Sequence, residues 1–328
     1  MKNNNVYVLR TSPETVQADI ARLLDTHDFQ EMRPDKETFI KINANYDREW
    51  PGCNTSKWVL DAVLKNLRAR GFTDVKAIEG DLKMQPASRT VAAVGIDTLL
   101  NKHGVPFVPI EQLPRENELP IILQGAQLIS VPVLHTHTFG RISVACKNLY
   151  GLLPVYRERY HGNLPEKLLE LAQRLEVFSI VDGTVGVEGG SMRLGNPKRV
   201  DLLLGGWNPI AVDVIAARIM GFSLDQVPHL QLALQRGMID EPVLKGDFSA
   251  RDLPDYAFEY KDSRLSKIDL WLRRNRVTGR FFSYNSLLDR LGNHARRAYT
   301  SRAYRKKQAS VTNGDWLEYA DERERTSK

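Results

Sequence analysis

The sequence predicts an α/β protein, a largely parallel sheet with helices on both faces, followed by a basic helical appendage. Three observations predict this. Short apolar runs of β type alternate with segments of helical periodicity between Val6 and Gly205, the pattern of parallel strands joined by helices. An apolar share of 42% and a charged share of 26% are those of a globular chain able to bury a core. Charge is also unevenly divided within the net +6, with 17 Lys/Arg against 8 Asp/Glu from Lys261 onward and 29 against 32 before it. The expected organisation is therefore an α/β, catalytic-like domain over 1–260, in one lobe or in two that meet near 110–160. A basic, aromatic-containing helical extension with a frayed end follows over 261–328.

Val6–Leu9 reads as an edge strand. Ser12-Pro13-Glu14 reads as a helix start, with Ser12 as cap and Pro13 at the first helical position. Val16, Ile20, Leu23 and Leu24 would then face inward. Thr38–Asn45 reads as a strand with Lys41, Asn43 and Asn45 aligned on one face at period two. Thr55-Ser56 caps the next helix, which runs to Gly71 with Trp58, Val59, Ala62, Val63 and Leu67 inward. A strand, a loop and a helix start together make an anion site, because free N–H groups converge there. Asp74–Glu79 is the next strand, Arg89–His103 a helix and Val105–Ile110 a short strand. Beyond Pro165 a helix carries Leu168, Leu169, Ala172 and Leu175. Val177–Val181 is an apolar strand ending at Asp182, and GTVGVEGG follows as a glycine-rich turn at the edge where open α/β sheets bind ligands. Glu188 in that turn is a second acid. Val200–Gly205 is a strand, and Asn208-Pro209 opens a helix in which Asp213 must be paired or must cap a neighbour. His229 reads as a packing residue. A sheet-like piece runs from Asp240 to about Tyr260.

The stretch Leu128–Gly162 holds the densest chemistry. Its apolar β run presents His135 and His137, which as i and i+2 share a face. Lys147, beside Asn148 within a mostly apolar run, and His161 follow. Each residue alone reads as a satisfied polar group or a snorkelling lysine; together at a strand's mouth they read as a site. Cys53 and Cys146 are the only cysteines, which excludes disulfide frameworks, thiolate zinc sites and four-cysteine iron–sulfur clusters within this chain. The first residues lack an apolar leader pattern and no stretch of 18 apolar residues occurs, so neither signal peptide nor membrane span is expected and the cytoplasm is the expected compartment.

The segments IKINAN with Thr55, VPVLHTH…SVACKNLYGLLP with His161, VDGTVGVEGG and PIAVDVIAARIMG resemble the domain of unknown function 362 family over roughly Phe39 to Gly237. Many members of that family carry an added ferredoxin-like module, for which this chain lacks the cysteines. Members often have a lysine where His135 stands here. A more distant likeness is to nickel-dependent lactate racemase, which also has a histidine ten residues before a lysine, as His137 stands before Lys147. That enzyme's glycine-rich pattern before its lysine is absent, since Ser143–Cys146 stands there. The likeness implies small hydroxy- or amino-acid chemistry.

The expected function is a metal-dependent enzyme acting on a small anionic carboxylate or phosphate. The step would be of isomerase, racemase or lyase type, or redox if the metal is iron. His135, His137 and Asp182 would bind a divalent zinc, iron, nickel or manganese ion. Lys147, Asn148 and His161 would be catalytic, and Lys41, Asn43, Asn45, Thr55 and Glu188 would hold substrate. The alternative is a non-catalytic binding or assembly module. It would dock through 261–310 on an anionic partner or membrane surface, with nucleic acid disfavoured. A third option is an organic-cofactor enzyme anchored on Lys147.

Overall fold

The computed structural model describes residues 3–82, 85–190 and 195–261, together with 302, 304 and 305. The helices expected beyond Lys261 otherwise lie outside the described residues. The chain begins with β1 (Asn5–Arg10), α1 (Val16–Leu24), β2 (Thr38–Lys41), α2 (Lys57–Ala69) and β3 (Val75–Glu79). The helices α3 (Ala87–Ala93) and α4 (Ile96–Lys102) lead to β4 (Phe107–Pro109), and a small separate ladder pairs β5 (Arg115–Glu116) with β6 (Leu119–Pro120). The strands β7 (Gln127–Ser130), β8 (Val133–His137) and β9 (Arg141–Ser143) precede α5 (Ala145–Leu149) and α6 (Leu164–Arg174). Two long strands, β10 (Phe178–Glu188) and β11 (Asn196–Gly206), lead to α7 (Pro209–Ile219), α8 (Pro228–Gln235) and β12 (Val243–Gly246).

The main sheet has the order β12-β1-β11-β10-β7-β2-β3-β4. From β10 to β4 every pairing is parallel, and antiparallel pairing enters where β11 joins β10 and β1. Helices cover both faces, as expected. The side chains of α1 and α2 pack in one core cluster with Ile40, Ile129 and Phe178, and those of α5, α6, α7 and α8 pack in another with Phe39, Leu128 and Val181. Successive strand residues feed opposite clusters, as a two-sided sheet requires. In α2, Val59, Leu60, Val63 and Leu67 are fully buried, each contributing about 1.5–3 kcal/mol. The helix α7 is buried almost all round, which accounts for its nearly unbroken apolar sequence. No described helix is long and apolar enough to cross a membrane.

Several boundaries differ from the sequence expectation. Ser12 and Thr15 exchange hydroxyl and backbone bonds in a turn, so α1 starts at Val16 and Pro13 lies outside it. The helix expected over Arg89–His103 is two helices, broken at Gly95, whose φ of +70° is left-handed. The supposed glycine-rich turn after Asp182 is strand as far as Glu188. Its glycines serve close packing: a Cβ on Gly186 would lie 2.6 Å from the Phe258 ring, and one on Gly183 2.7 Å from the Leu202 carbonyl.

Candidate functional site

The parallel strands β2, β3 and β7 end together, and their last residues build the floor of the site. Lys41 closes β2, opposite Ile78 of β3 and Ser130 of β7 in register. Its ammonium pairs at 2.7 Å with Glu79, the last residue of β3, and both side chains are buried. The Glu79 carboxylate also accepts the N–H groups of Gly80 (2.8 Å) and Ala44 (3.0 Å), and Lys41 donates to the Ile42 carbonyl at 2.7 Å. Such extra bonds are what make a buried ion pair tolerable. Burial still holds the Lys41 amine below its ordinary value, with Glu79 pulling the other way. Asn148 locks α5 onto this floor, its amide donating to Ser130 Oγ at 2.9 Å and to the Lys41 carbonyl at 3.3 Å. Gly151 lies directly over the pair: a Cβ there would come within 2.8 Å of Lys41 Nζ and 3.1 Å of Glu79 Oε1. The Lys-Asn-Leu-Tyr-Gly segment thus fits its place residue by residue, with Asn148 tying it down and Gly151 permitting contact.

Lys147 stands beside this floor. The short helix α5 that carries it is held by Asp213 of α7, whose carboxylate accepts from Ala145 N–H at 2.7 Å and Cys146 N–H at 3.3 Å. The same carboxylate takes a 2.8 Å bond from His229 Nε2. The Lys147 ammonium sits 4.4 Å from the centre of the Tyr150 ring. Among the described residues no carboxylate hydrogen-bonds or ion-pairs with it. Desolvation, with Arg157 and Lys41 adding positive potential, lowers its pKa to about 7. Arg157 is itself buried and is fixed by the carbonyls of Leu153 (3.1 Å) and Asp81 (2.8 Å).

The wall above is the hairpin β8–β9. It continues alongside β10 after β7 has ended, so His135 and His137 project beyond the parallel strand ends. His135 is completely buried and donates Nε2–H to the Gly52 carbonyl, leaving Nδ1 as a buried lone pair with no hydrogen-bond partner among the described residues. His137 is arranged the opposite way. Its Nδ1 accepts the N–H groups of Phe139 (3.1 Å) and Gly140 (3.2 Å), so the ring hydrogen is on Nε2. Burial lowers the pKa of His135 to about 4 and holds His137 well below its usual value, with the positive charge of Lys147 acting on both. His161 completes this wall, its ring 5.0 Å from that of Phe139 and stacked on Tyr150 at 6.2 Å.

These histidines set an acid limit on stability. Unfolded, both would titrate near about 6.5. Because the folded values are lower, the stability they contribute is present above about pH 6.5 and is lost as pH falls from there toward 4. For His135 alone this is on the order of 3 kcal/mol. Urea midpoints should drop over that window, and His135→Gln should make the fall shallower; a flat profile would contradict the neutral-imidazole assignment.

Other residues singled out in the sequence sit elsewhere or are occupied. Asp182 is central in β10. Its carboxylate accepts from Ser56 N–H (2.8 Å) and from the Thr184 hydroxyl (2.7 Å), so the anion at the start of α2 is the protein's own. Thr55 spends its hydroxyl on Asn43 N–H and the Val131 carbonyl, both at 2.8 Å. Asn43 and Asn45 lie past the end of β2, where the side chain of Asn45 donates to that of Asn43 and its N–H donates to Asn54 Oδ1. Glu188 pairs with Lys198 at 3.0 Å and accepts the Glu259 N–H. His135, His137 and Asp182 are not gathered as one ligand set. Among the described residues, the threefold groups of His, Cys, Asp or Glu with donor atoms within 4.8 Å are Cys146–Asp213–His229 and His27–Asp28–Glu31. In the first, the Asp213 oxygens are already taken by backbone and histidine donors, the work of a helix anchor. Glu79, Arg157 and Tyr150 join the site without having been singled out. Glu79 alone carried a signal, as an acid closing a predicted strand.

Such an arrangement defines an α/β protein with a cationic, histidine-walled site at the ends of its parallel strands. The chain belongs to the family described as Domain of unknown function (DUF362), whose model matches residues 38–218 and so spans the site from Lys41 to Asp213. No curated protein matches the chain.

Proposed function

We propose that the chain is an enzyme that moves a proton on a small anionic carbon acid, a carboxylate- or phosphate-bearing substrate, in an isomerase-, racemase- or lyase-type step. Lys147 is the proton acceptor in this reading. One observation carries it: the amine of a half-buried lysine, set 4.4 Å from the centre of the Tyr150 ring, its pKa lowered to about 7, with no carboxylate partner among the described residues. A base is most effective when its pKa lies near the working pH. Lys41, Arg157 and Lys147 outnumber the two acids that pair with them, Glu79 and Glu111, and favour an anionic substrate beside that amine. The Nε2–H of His137 is the donor toward an oxygen on which charge develops. A metal is not part of the proposal. To ligate through Nε2, His137 would have to carry its hydrogen on Nδ1, against two backbone N–H donors.

The test is the amine's own titration. Trace acylation of Lys147 followed by peptide mass mapping should give a midpoint near 7, and a midpoint near 10 would remove the base. A stability measurement gives an independent check. The folded value lies below the unfolded one, so the ammonium costs stability fully below pH 7, and the cost fades as pH approaches about 10.4. Lys147→Met should therefore stabilise the fold by about 1–3 kcal/mol at pH 6, with the gain shrinking at pH 9. Loss of stability at pH 6 would mean that the amine has a partner in the fold.

A further inference from the structure

We propose that Lys147 forms a covalent imine with a small anionic aldehyde or ketone, of the 2-oxo acid class, at the ends of the parallel strands. The inference rests on the reading of Lys147 as a free amine and goes beyond it by assigning a carbonyl group to the substrate. Four features of the site point to the bond. The amine is anchored rather than loose, since α5 is tied by Asp213 at its start and by Asn148 to Ser130 and the Lys41 backbone. No described carboxylate hydrogen-bonds or ion-pairs with the ammonium, so none locks it in its non-nucleophilic form. Two fixed cations, Lys41 and Arg157, act on it electrostatically. They disfavour its protonation, and together with Lys147 they outnumber the two acids beside them, Glu79 at 2.7 Å from Lys41 and Glu111 at 3.7 Å from Arg157, which favours an anionic substrate there. Last, the Tyr150 ring beneath Nζ and the neutral histidines around it make a low-polarity wall on which a compact carbonyl compound can rest.

The step balances without an oxidant or a reductant. The Nζ lone pair adds to the carbonyl carbon and the C=O π electrons move to oxygen, which takes a proton to give the carbinolamine. The C–O bond then breaks and one water leaves. Its oxygen comes from the carbonyl and its hydrogens from the amine, and a C=N bond remains. The His137 Nε2–H is the donor suited to the oxygen as it gains charge. Once formed and protonated, the imine withdraws electrons from the neighbouring carbon, which makes the adjacent C–H acidic. That is the chemistry an isomerase or lyase of this class requires.

The experiment uses the full chain at pH 7 with glyoxylate, and separately with pyruvate, each followed by borohydride reduction and peptide mass mapping. At that pH about half of an amine titrating near 7 is neutral, against roughly one in a thousand or fewer for an ordinary lysine. Labelling of Lys147 should therefore exceed that of any exposed lysine on the order of a hundredfold, and it should saturate at one adduct per chain. Lactate, which has the carboxylate but no carbonyl, should slow the labelling and should not itself be trapped. Lys147→Met should lose the adduct while keeping or raising its thermal transition, since the buried charge goes with the amine. An unmodified Lys147 with both compounds, or labelling no greater than at surface lysines, overturns the imine. If the acylation midpoint still falls near 7 in that case, only the imine fails and the amine remains a proton acceptor; a midpoint near 10 removes both.

Discussion

Glu79→Ala is expected to destabilise the protein by about 3–5 kcal/mol, because it strands a buried ammonium. The Lys41 side chain is 1% exposed and its charge is balanced at 2.7 Å by the Glu79 carboxylate. The same carboxylate satisfies the N–H groups of Ala44 and Gly80 where β2 and β3 run out. Gly151 packs over the Lys41 ammonium, where an added Cβ would come within 2.8 Å of Nζ. Deleting the acid therefore leaves one charge and two backbone donors without their acceptor. Glu79→Gln keeps the shape and an acceptor oxygen, and should cost less. Replacing both partners by apolar residues, Lys41→Met with Glu79→Leu, should recover much of the loss, since the penalty lies in the unpaired charge more than in the absence of the pair. Urea unfolding of the parent, Lys41→Met, Glu79→Leu and the double variant closes a double-mutant cycle. A change under about 1 kcal/mol for Glu79→Ala would mean that the pair is hydrated and the floor of the site open. The functional readout is separate. Glu79 opposes the lowering of the Lys147 pKa, so any Glu79→Gln protein that folds should show a Lys147 acylation midpoint below the parent's.

What the sequence made legible follows from which interactions are local. The inward stripe of α1, at Val16, Ile20, Leu23 and Leu24, is buried as its spacing implied. Asn208 caps α7 by accepting from Ile210 N–H and Ala211 N–H, with Pro209 at the first turn, because a cap and its helix are contiguous. The placing of His135 and His137 on one buried strand was legible too, since positions i and i+2 of a strand can be read from one segment. Two kinds of information were not. The glycines of β10 looked like a turn because composition cannot distinguish a glycine needed for φ from one needed for contact; Gly186 meets Phe258, far along the chain. Pairings between distant strands were equally hidden. The Asp182 carboxylate caps a helix 126 residues away, and the partnership of Lys41 with Glu79 depends on β2 and β3 being neighbours in register. Those two pairings decide which polar groups are spent on the fold, and hence which remain for a ligand.

Asp213→Ala is the second substitution with a large expected effect, again about 3–5 kcal/mol, and it reaches Lys147 through the backbone. The helix α5 has five residues, too few to be stable by its own hydrogen bonds. Its first amides depend on Asp213, which is completely buried on α7 and also accepts from His229. Alanine leaves three donors facing an apolar core with no acceptor. The amides of Ala145 and Cys146 should then exchange hydrogen faster by a larger factor than those of α7 or of β10. Lys147, freed from its placement beside Lys41 and Arg157, should titrate closer to an ordinary lysine. Asp213→Asn retains one acceptor oxygen but turns an NH₂ toward the remaining donors, so it should fall between the parent and alanine in both measurements. Unchanged exchange at Ala145 together with an unchanged Lys147 midpoint would show that α5 is held by Asn148 and the apolar contacts of Leu149 alone. Acidic anchorage from α7 would then have no part in setting the site.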